Sequence, residues 1–248
     1  MRKQYVAIFI VVYLFCNNML LAQVNRPRRV EIGIIAGPTI DWCVTNTPNY
    51  KTTGVKAGGV YGLNIDLSLV QTASNYYFST GINARHIRYG LEYVDDYKFF
   101  NNNTNKMDIM SSVAINSVFN AIYVTLPTAI KLKTNPFGGG KFVVFGIMGL
   151  EHGVAVSAKS NDKVTKQDGT VDKFEKINHY KNIAILKESL YIVLGGEYII
   201  QNNTKATFGI GYDLGFNNMF RKKYKNTLSE QKVHAQAHRI EFQFGIIF

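Results

Sequence analysis

Five histidines, His86, His152, His179, His234 and His238, carry most of the potential chemistry of this chain. An imidazole that takes a proton from a serine hydroxyl, itself oriented by a carboxylate, makes an oxygen nucleophile for acyl transfer. His152 comes nearest to that pattern, with Glu151 before it and Ser157 and Ser160 beyond. Consecutive residues of a strand point to opposite faces, however, so Glu151 cannot orient the His152 ring. His179, within Asn178-His179-Tyr180, has no serine close in sequence. His234 and His238 fall on one face of a strand, yet no third ligand is spaced for zinc. The expectation is no catalytic residue, no metal and no cofactor, with the histidines at a wet rim.

The elements that must position these side chains are strands. At the end of the sequence Ile240, Phe242, Phe244, Ile246 and Phe248 alternate with Glu241, Gln243, Gly245 and Ile247. A period of two with one large apolar face is the mark of a β-strand. A strand that stops on an aromatic resembles the closing strand of outer-membrane β-barrels. On that resemblance Phe248, Ile246 and Phe244 form a signal for the barrel assembly machinery.

Seven further segments follow, each about 10 to 15 residues long and close to what a tilted membrane strand requires. They begin near Val30, Lys56, Tyr76, Phe119, Lys141, Glu188 and Ala206. The cleanest sets Ala206, Phe208, Ile210, Tyr212 and Leu214 against Thr207, Gly209, Gly211, Asp213 and Gly215. The segment from Lys141 is apolar on both faces, and its facing is ambiguous. Short turns near residues 71–75, 134–140 and 201–203 alternate with long polar connections at 41–55, 90–118, 159–187 and 218–233. Long and short loops on opposite rims characterise outer-membrane barrels. The expected fold is therefore all-β: an eight-stranded antiparallel up-and-down transmembrane barrel with four long outer loops and three short periplasmic turns.

The polar face is rich in glycine and carries isolated charges of both signs. Glu31, Arg85, Lys131, Glu197, Asp213, Arg239 and Glu241, with Asp66 and Lys205, fall on it. Such a face suits a narrow lumen filled by paired side chains, and argues against an open channel.

At the amino terminus, Arg2 and Lys3 precede an apolar run from Tyr5 to Cys16, too short to span a bilayer. With Ala22-Gln23 as cleavage site, residues 1–22 read as a signal peptide, 23–29 as a short periplasmic segment and 30–248 as the barrel. About 226 residues would remain, enough for one large β domain. Cys43 is then the one cysteine left, and no internal disulfide forms. Of the 28 basic residues two leave with the leader, so 26 oppose 17 acidic ones, a formal net charge of +9. Export excludes nucleic acid and points to lipopolysaccharide phosphates. Arg221, Lys222, Lys223 and Lys225, a basic run within a long loop, are the candidate anion contacts.

Two stretches carry a more specific resemblance. Gly54-Val55-Lys56-Ala57-Gly58-Gly59-Val60-Tyr61-Gly62, leading into Tyr77-Phe78-Ser79-Thr80-Gly81-Ile82, is one. Tyr123-Val124-Thr125-Leu126-Pro127-Thr128-Ala129-Ile130-Lys131-Leu132-Lys133, before the strand at 141–149, is the other. Both resemble the PorT family of outer-membrane β-barrel proteins of Bacteroidota, over essentially the whole chain after the leader. The resemblance implies an eight-stranded barrel, and for one branch a part in type IX protein secretion; the residues themselves point to a non-enzymatic barrel, expected to be a monomer. Binding of envelope or secretion components through the outer loops is the expected role. A small lipid A-modifying enzyme and a narrow ion-permeable pore are the alternatives.

Overall fold

The computed structural model describes residues 29–70, 75–101, 105–201, 204–221 and 223–248, and all regular structure among them is β. The proposed leader and periplasmic segment lie almost wholly outside the described residues, as do residues 71–74 and 202–203 of two turns. Eight strands form the wall: β1 (Val30–Thr45), β3 (Lys56–Ser68), β4 (Tyr76–Asn101), β5 (Lys106–Lys133), β6 (Phe142–Thr165), β8 (Leu186–Gln201), β9 (Thr204–Gly215) and β10 (Ala235–Ile247). Two short strands, β2 (Lys51–Thr52) and β7 (Val171–Asn178), pair on β4 and β6. Each wall strand pairs antiparallel with the next, and β10 returns to β1 from Gly33↔Ile247 to Thr45↔Ala235. The sheet has no free edge along that seam. The expected eight-stranded antiparallel barrel is the fold.

Period-two patterning explains the wall. On β5, Tyr123, Thr125 and Lys131 are buried inside, while Val124, Leu126, Ile130 and Leu132 are exposed outside. The ambiguous fifth segment turns Val143, Phe145, Ile147 and Glu151 inward and Val144, Met148, Leu150 and Val154 outward. Its inner face is apolar because Phe145 and Ile147 pack with Ala129, Tyr191 and Val193 in a small cluster inside the barrel. At the 134–140 turn, Gly138, Gly139 and Gly140 all adopt left-handed φ of 59–79°, which residues with a Cβ rarely tolerate.

The long connections gather on one rim, as expected, but two of them are largely strand. β4 and β5 run 26 and 28 residues and stay paired out to Asn101↔Lys106. Likewise β6 continues to Thr165 and turns back as β7, with Lys163 opposite Lys173. Alternation persists there with its sense reversed. On β4 the inward series changes from Ser79, Asn83 and Arg85 to Ile87, Tyr89, Leu91 and Tyr93. The outward series changes from Ile82 to Arg88 and Glu92, both exposed. Inside the membrane the wall must show lipid its apolar face; beyond it, the same wall must show water its polar face. The reversal marks the outer membrane surface.

Candidate functional site

Charged side chains fill the membrane-spanning lumen in two tiers. Nearer the short turns, Lys131 Nζ lies 2.7 Å from Asp66 and 2.9 Å from Glu197. Lys133 Nζ lies 2.5 Å from Glu31 and 2.9 Å from Glu197, and Lys205 Nζ lies 2.7 Å from Glu31. Three cations thus meet three carboxylates. In the upper tier fully buried Arg85 bridges Glu151 and Glu241. Lys187 Nζ lies 2.8 Å from Asp213 and 3.4 Å from Glu151, and Arg239 Nε donates to Asp41 at 2.8 Å. Each of Glu31, Arg85, Lys131, Glu197, Asp213, Arg239 and Glu241 therefore points inward and is buried. Alternation had not assigned Asp41, Lys133, Glu151 or Lys187: Lys133 ends its segment, Asp41 and Lys187 were read as the first and last residues of long connections, and the facing of the strand that holds Glu151 was open. Among the described residues these side chains fill the interior that eight strands enclose.

The outward face is banded. Tyr76, Phe142, Tyr198 and Phe248 lie at the short-turn rim. Ten residues along the same strands, hence on the same face, stand His86, His152, Glu188 and His238. Ten residues of a strand tilted by about 40° climb roughly 25 Å, the height of the apolar band. His238 stacks on Trp42 with centroids 5.7 Å apart, and its Nδ1 lies 2.9 Å from the Tyr212 hydroxyl. His86 lies by Tyr61, with centroids 6.0 Å apart. Aromatic and imidazole rings suit such a boundary, being apolar in body and polar at the tip.

His152 is different. Its Nδ1 lies 2.5 Å from Glu188 Oε2, and its Nε2 lies 3.1 Å from Thr128 Oγ1. Glu151 does point away into the lumen, but the carboxylate that reaches His152 comes from the neighbouring strand, where Glu188 is its direct cross-strand partner. Thr128, from the strand on the other side, is the diagonal neighbour. Three strands supply three residues, so spacing within any one of them carries no sign of the set.

Beyond the membrane surface the barrel continues as a head with its own apolar core. Tyr89, Leu91, Tyr93, Val113, Ile115, Phe119, Phe220 and Val233 are buried in it. Tyr89 stacks on Phe119 with centroids 5.1 Å apart, and Phe220 meets both rings edge-on. Burial pushes the Tyr93 hydroxyl up to about 12. The last long connection is pinned across the top. Asn226 donates to the Val94 carbonyl at 2.8 Å, while Asp95 Oδ1 accepts from Thr227 N at 2.8 Å. His179 belongs to the head, edge-on to Phe119, and burial lowers its pKa against the opposing pull of Asp162. His234 is exposed just before β10, and its carbonyl accepts from Thr45 and Thr47.

In the basic run, Arg221 donates to the Ile183 and Tyr180 carbonyls at 2.9 and 3.4 Å, so its guanidinium straps two loops together. Lys223 and Lys225 are exposed, and Lys222 lies outside the described residues. Phe244, Ile246 and Phe248 face outward, half-exposed, on the lipid side of the seam. Cys43 is buried and unpaired.

A closed eight-stranded wall, apolar outside and charged within, defines the class: an outer-membrane β-barrel protein. No protein-family model and no curated protein matches the chain. Three solved barrels are similar to it. Neisserial surface protein A is 11% identical over 89% of this chain and 96% of its own, with a TM-score of 0.38. OprG from Pseudomonas aeruginosa is 12% identical over 91% and 99%, with a TM-score of 0.37. Ail, the attachment invasion locus protein of Yersinia pestis, is 12% identical over 89% and 100%, with a TM-score of 0.34.

Proposed function

We propose that this outer-membrane barrel acts chiefly by binding, presenting its head to a partner outside the cell, and that the lumen charges serve as a structural plug. The observation that carries this reading is the head itself. The wall runs well past the membrane surface, acquires an apolar core and pins its last loop across the top, so its outer surface is held rigid. Recognition placed on a rigid scaffold loses little conformational entropy on binding. The finer form is a PorT-like role with an envelope or secretion component as partner. It rests on the resemblance of the two sequence stretches. On the same reading, Lys223 and Lys225 meet phosphate groups and Phe248 takes part in assembly.

Photo-crosslinking side chains placed at Lys98, Lys173 and Lys223 in native membranes test it, with Ile210 on the lipid face as control. One defined adduct is expected from the head positions and none from Ile210. Head adducts no different from the control would end the binding reading. The secretion form makes a further demand: a deletion strain should retain secreted cargo in the periplasm. A second reading, catalysis at the lipid face, is favoured by a separate observation, the Thr128–His152–Glu188 chain.

A further inference from the structure

We infer that Thr128, His152 and Glu188 form a hydrolytic site on the lipid-facing wall, acting on acyl esters of outer-leaflet lipids. This activity is independent of the head. Glu188 against Nδ1 keeps the ring proton there, leaving the Nε2 lone pair for the Thr128 hydroxyl at 3.1 Å. The hydroxyl has one other acceptor, the Leu150 carbonyl at a longer 3.5 Å. Hydroxyl, imidazole and carboxylate are thus in the order that activates an oxygen nucleophile.

Depth names the substrate. The site sits at the outer edge of the apolar band, on the outward face, with the imidazole and carboxylate side chains 42% and 43% exposed. Val154 and Leu186 stand outward just above it. Further out on the same wall, exposed Arg88, Asn120 and Lys159 pair across three strands as the first polar row. The acyl esters of a lipid lie in that interval, beneath the headgroup charge and above the chains. A carboxylate facing lipid is costly wherever it has no task, which makes such a residue a functional candidate.

In the reaction, Thr128 Oγ1 bonds to the ester carbonyl carbon as its proton passes to His152 Nε2. The ester C–O bond then breaks, and the imidazolium returns the proton to the departing alcohol. Water repeats the sequence on the acyl-threonine, releasing fatty acid and restoring Thr128. Thr128 pairs with Leu150 of β6, whereas the β4–β5 ladder is interrupted between Ser79↔Ala129 and Asn83↔Thr125, where Pro127 brings no N–H. The expected acceleration is that of general-base activation, about 10²–10⁴-fold.

The test uses the full-length folded protein in three arms: para-nitrophenyl palmitate in mixed micelles, phosphatidylethanolamine vesicles and lipopolysaccharide vesicles, with fatty-acid release read by mass spectrometry. Release in at least one arm is expected, falling at least about a hundredfold in Thr128→Ala and His152→Ala and returning in Thr128→Ser. Glu188 acts through His152 as a positioning residue, so Glu188→Gln should lower kcat and leave KM in place. A heat-dependent gel shift confirms that each variant remains a folded barrel. An alkylphosphonate probe should add its mass at Thr128. No release by the wild type in any arm, or unchanged release in folded Thr128→Ala, overturns the proposal. Head variants should leave the release untouched, so loss of the binding reading and loss of this one are separable outcomes.

Discussion

Lys133 Nζ lies 2.5 Å from Glu31 Oε2, joining the last residue of β5 to the start of β1 across the lumen. The same carboxylate receives Lys205 at 2.7 Å, so one acidic group neutralises two amines. Both members of the first pair are buried. Removing one partner of a buried pair costs about 3–5 kcal/mol where the other charge is left unpaired. Here Lys133 and Lys205 both fall back on Glu197 at 2.9 and 3.4 Å, which sets the loss at the lower end. Glu31→Ala is therefore expected to lower barrel stability by about 3 kcal/mol or less, read from the urea midpoint of the purified protein. Glu31→Leu with Lys133→Met should recover part of it, because Lys205 alone then lacks its first partner.

Sidedness gives a sharper contrast. Ile210 is half-exposed on the lipid face of β9, where it sits between Leu194 and Phe242 in register. Ile210→Arg should cost roughly 2–4 kcal/mol near the midplane. Thr207, three residues away on the inner face, should accept Asn at well under half of that. Both follow from folding titrations in lipid vesicles, and equal penalties would reverse the assigned faces.

Gly37 and Gly245 let the two strands of the seam approach closely, and Gly37 is the tighter of the two. Between the pairs Ala36↔Phe244 and Thr39↔Glu241 the pairing lapses with the register unchanged, and a Cβ on Gly37 would run into the backbone carbonyl of Phe242. Backbone cannot swing aside as a side chain can. Gly37→Ala is expected to open the β1–β10 closure, reducing the fraction of chain in the fast-migrating, heat-modifiable form. Gly139→Ala tests a different strain, since that glycine has open space but φ +70°. It should assemble normally, with a modest loss of stability.

How much of this was legible depends on what repeats within one strand. Alternation at Ala206–Gly215 marked both faces of β9 because lipid and lumen impose opposite chemistries on successive residues. The same logic read 90–118 and much of 159–187 as loop, since outside the membrane the polar residues face out. Glu92, Lys98 and Asn116 then look like loop residues, although Tyr93 and Ile115 preserve the period. Contacts made across strands carry no such period. Glu188 lies 36 residues from His152 and Thr128 lies 24 from it, and the β5–β6 and β6–β8 pairings bring them together. Of the lumen charges, those in the middle of clean strands were legible, whereas Lys133 and Lys187 sit at strand ends where the pattern fades.

The head should loosen in mild acid through His179. Its backbone closes the return from β7: His179 N donates to the Ala158 carbonyl at 3.0 Å, and its own carbonyl accepts from Asn182 N at 2.8 Å. The ring lies edge-on to Phe119, and burial holds its pKa below the ordinary 6.5, with Asp162 opposing. Well above pH 6.5 both the closed and the opened segment carry a neutral ring, and proton uptake favours neither. As pH falls through that value the opened segment is protonated first, so stability of the closed form declines until the depressed folded pKa is reached. Amide exchange across 179–184 should therefore speed up between pH 7.5 and 5, after correction for the intrinsic rate, while exchange in β9 stays constant. His179→Gln should remove the dependence. Uniform acceleration over the whole barrel would instead point to the lumen charges as the acid-sensitive element.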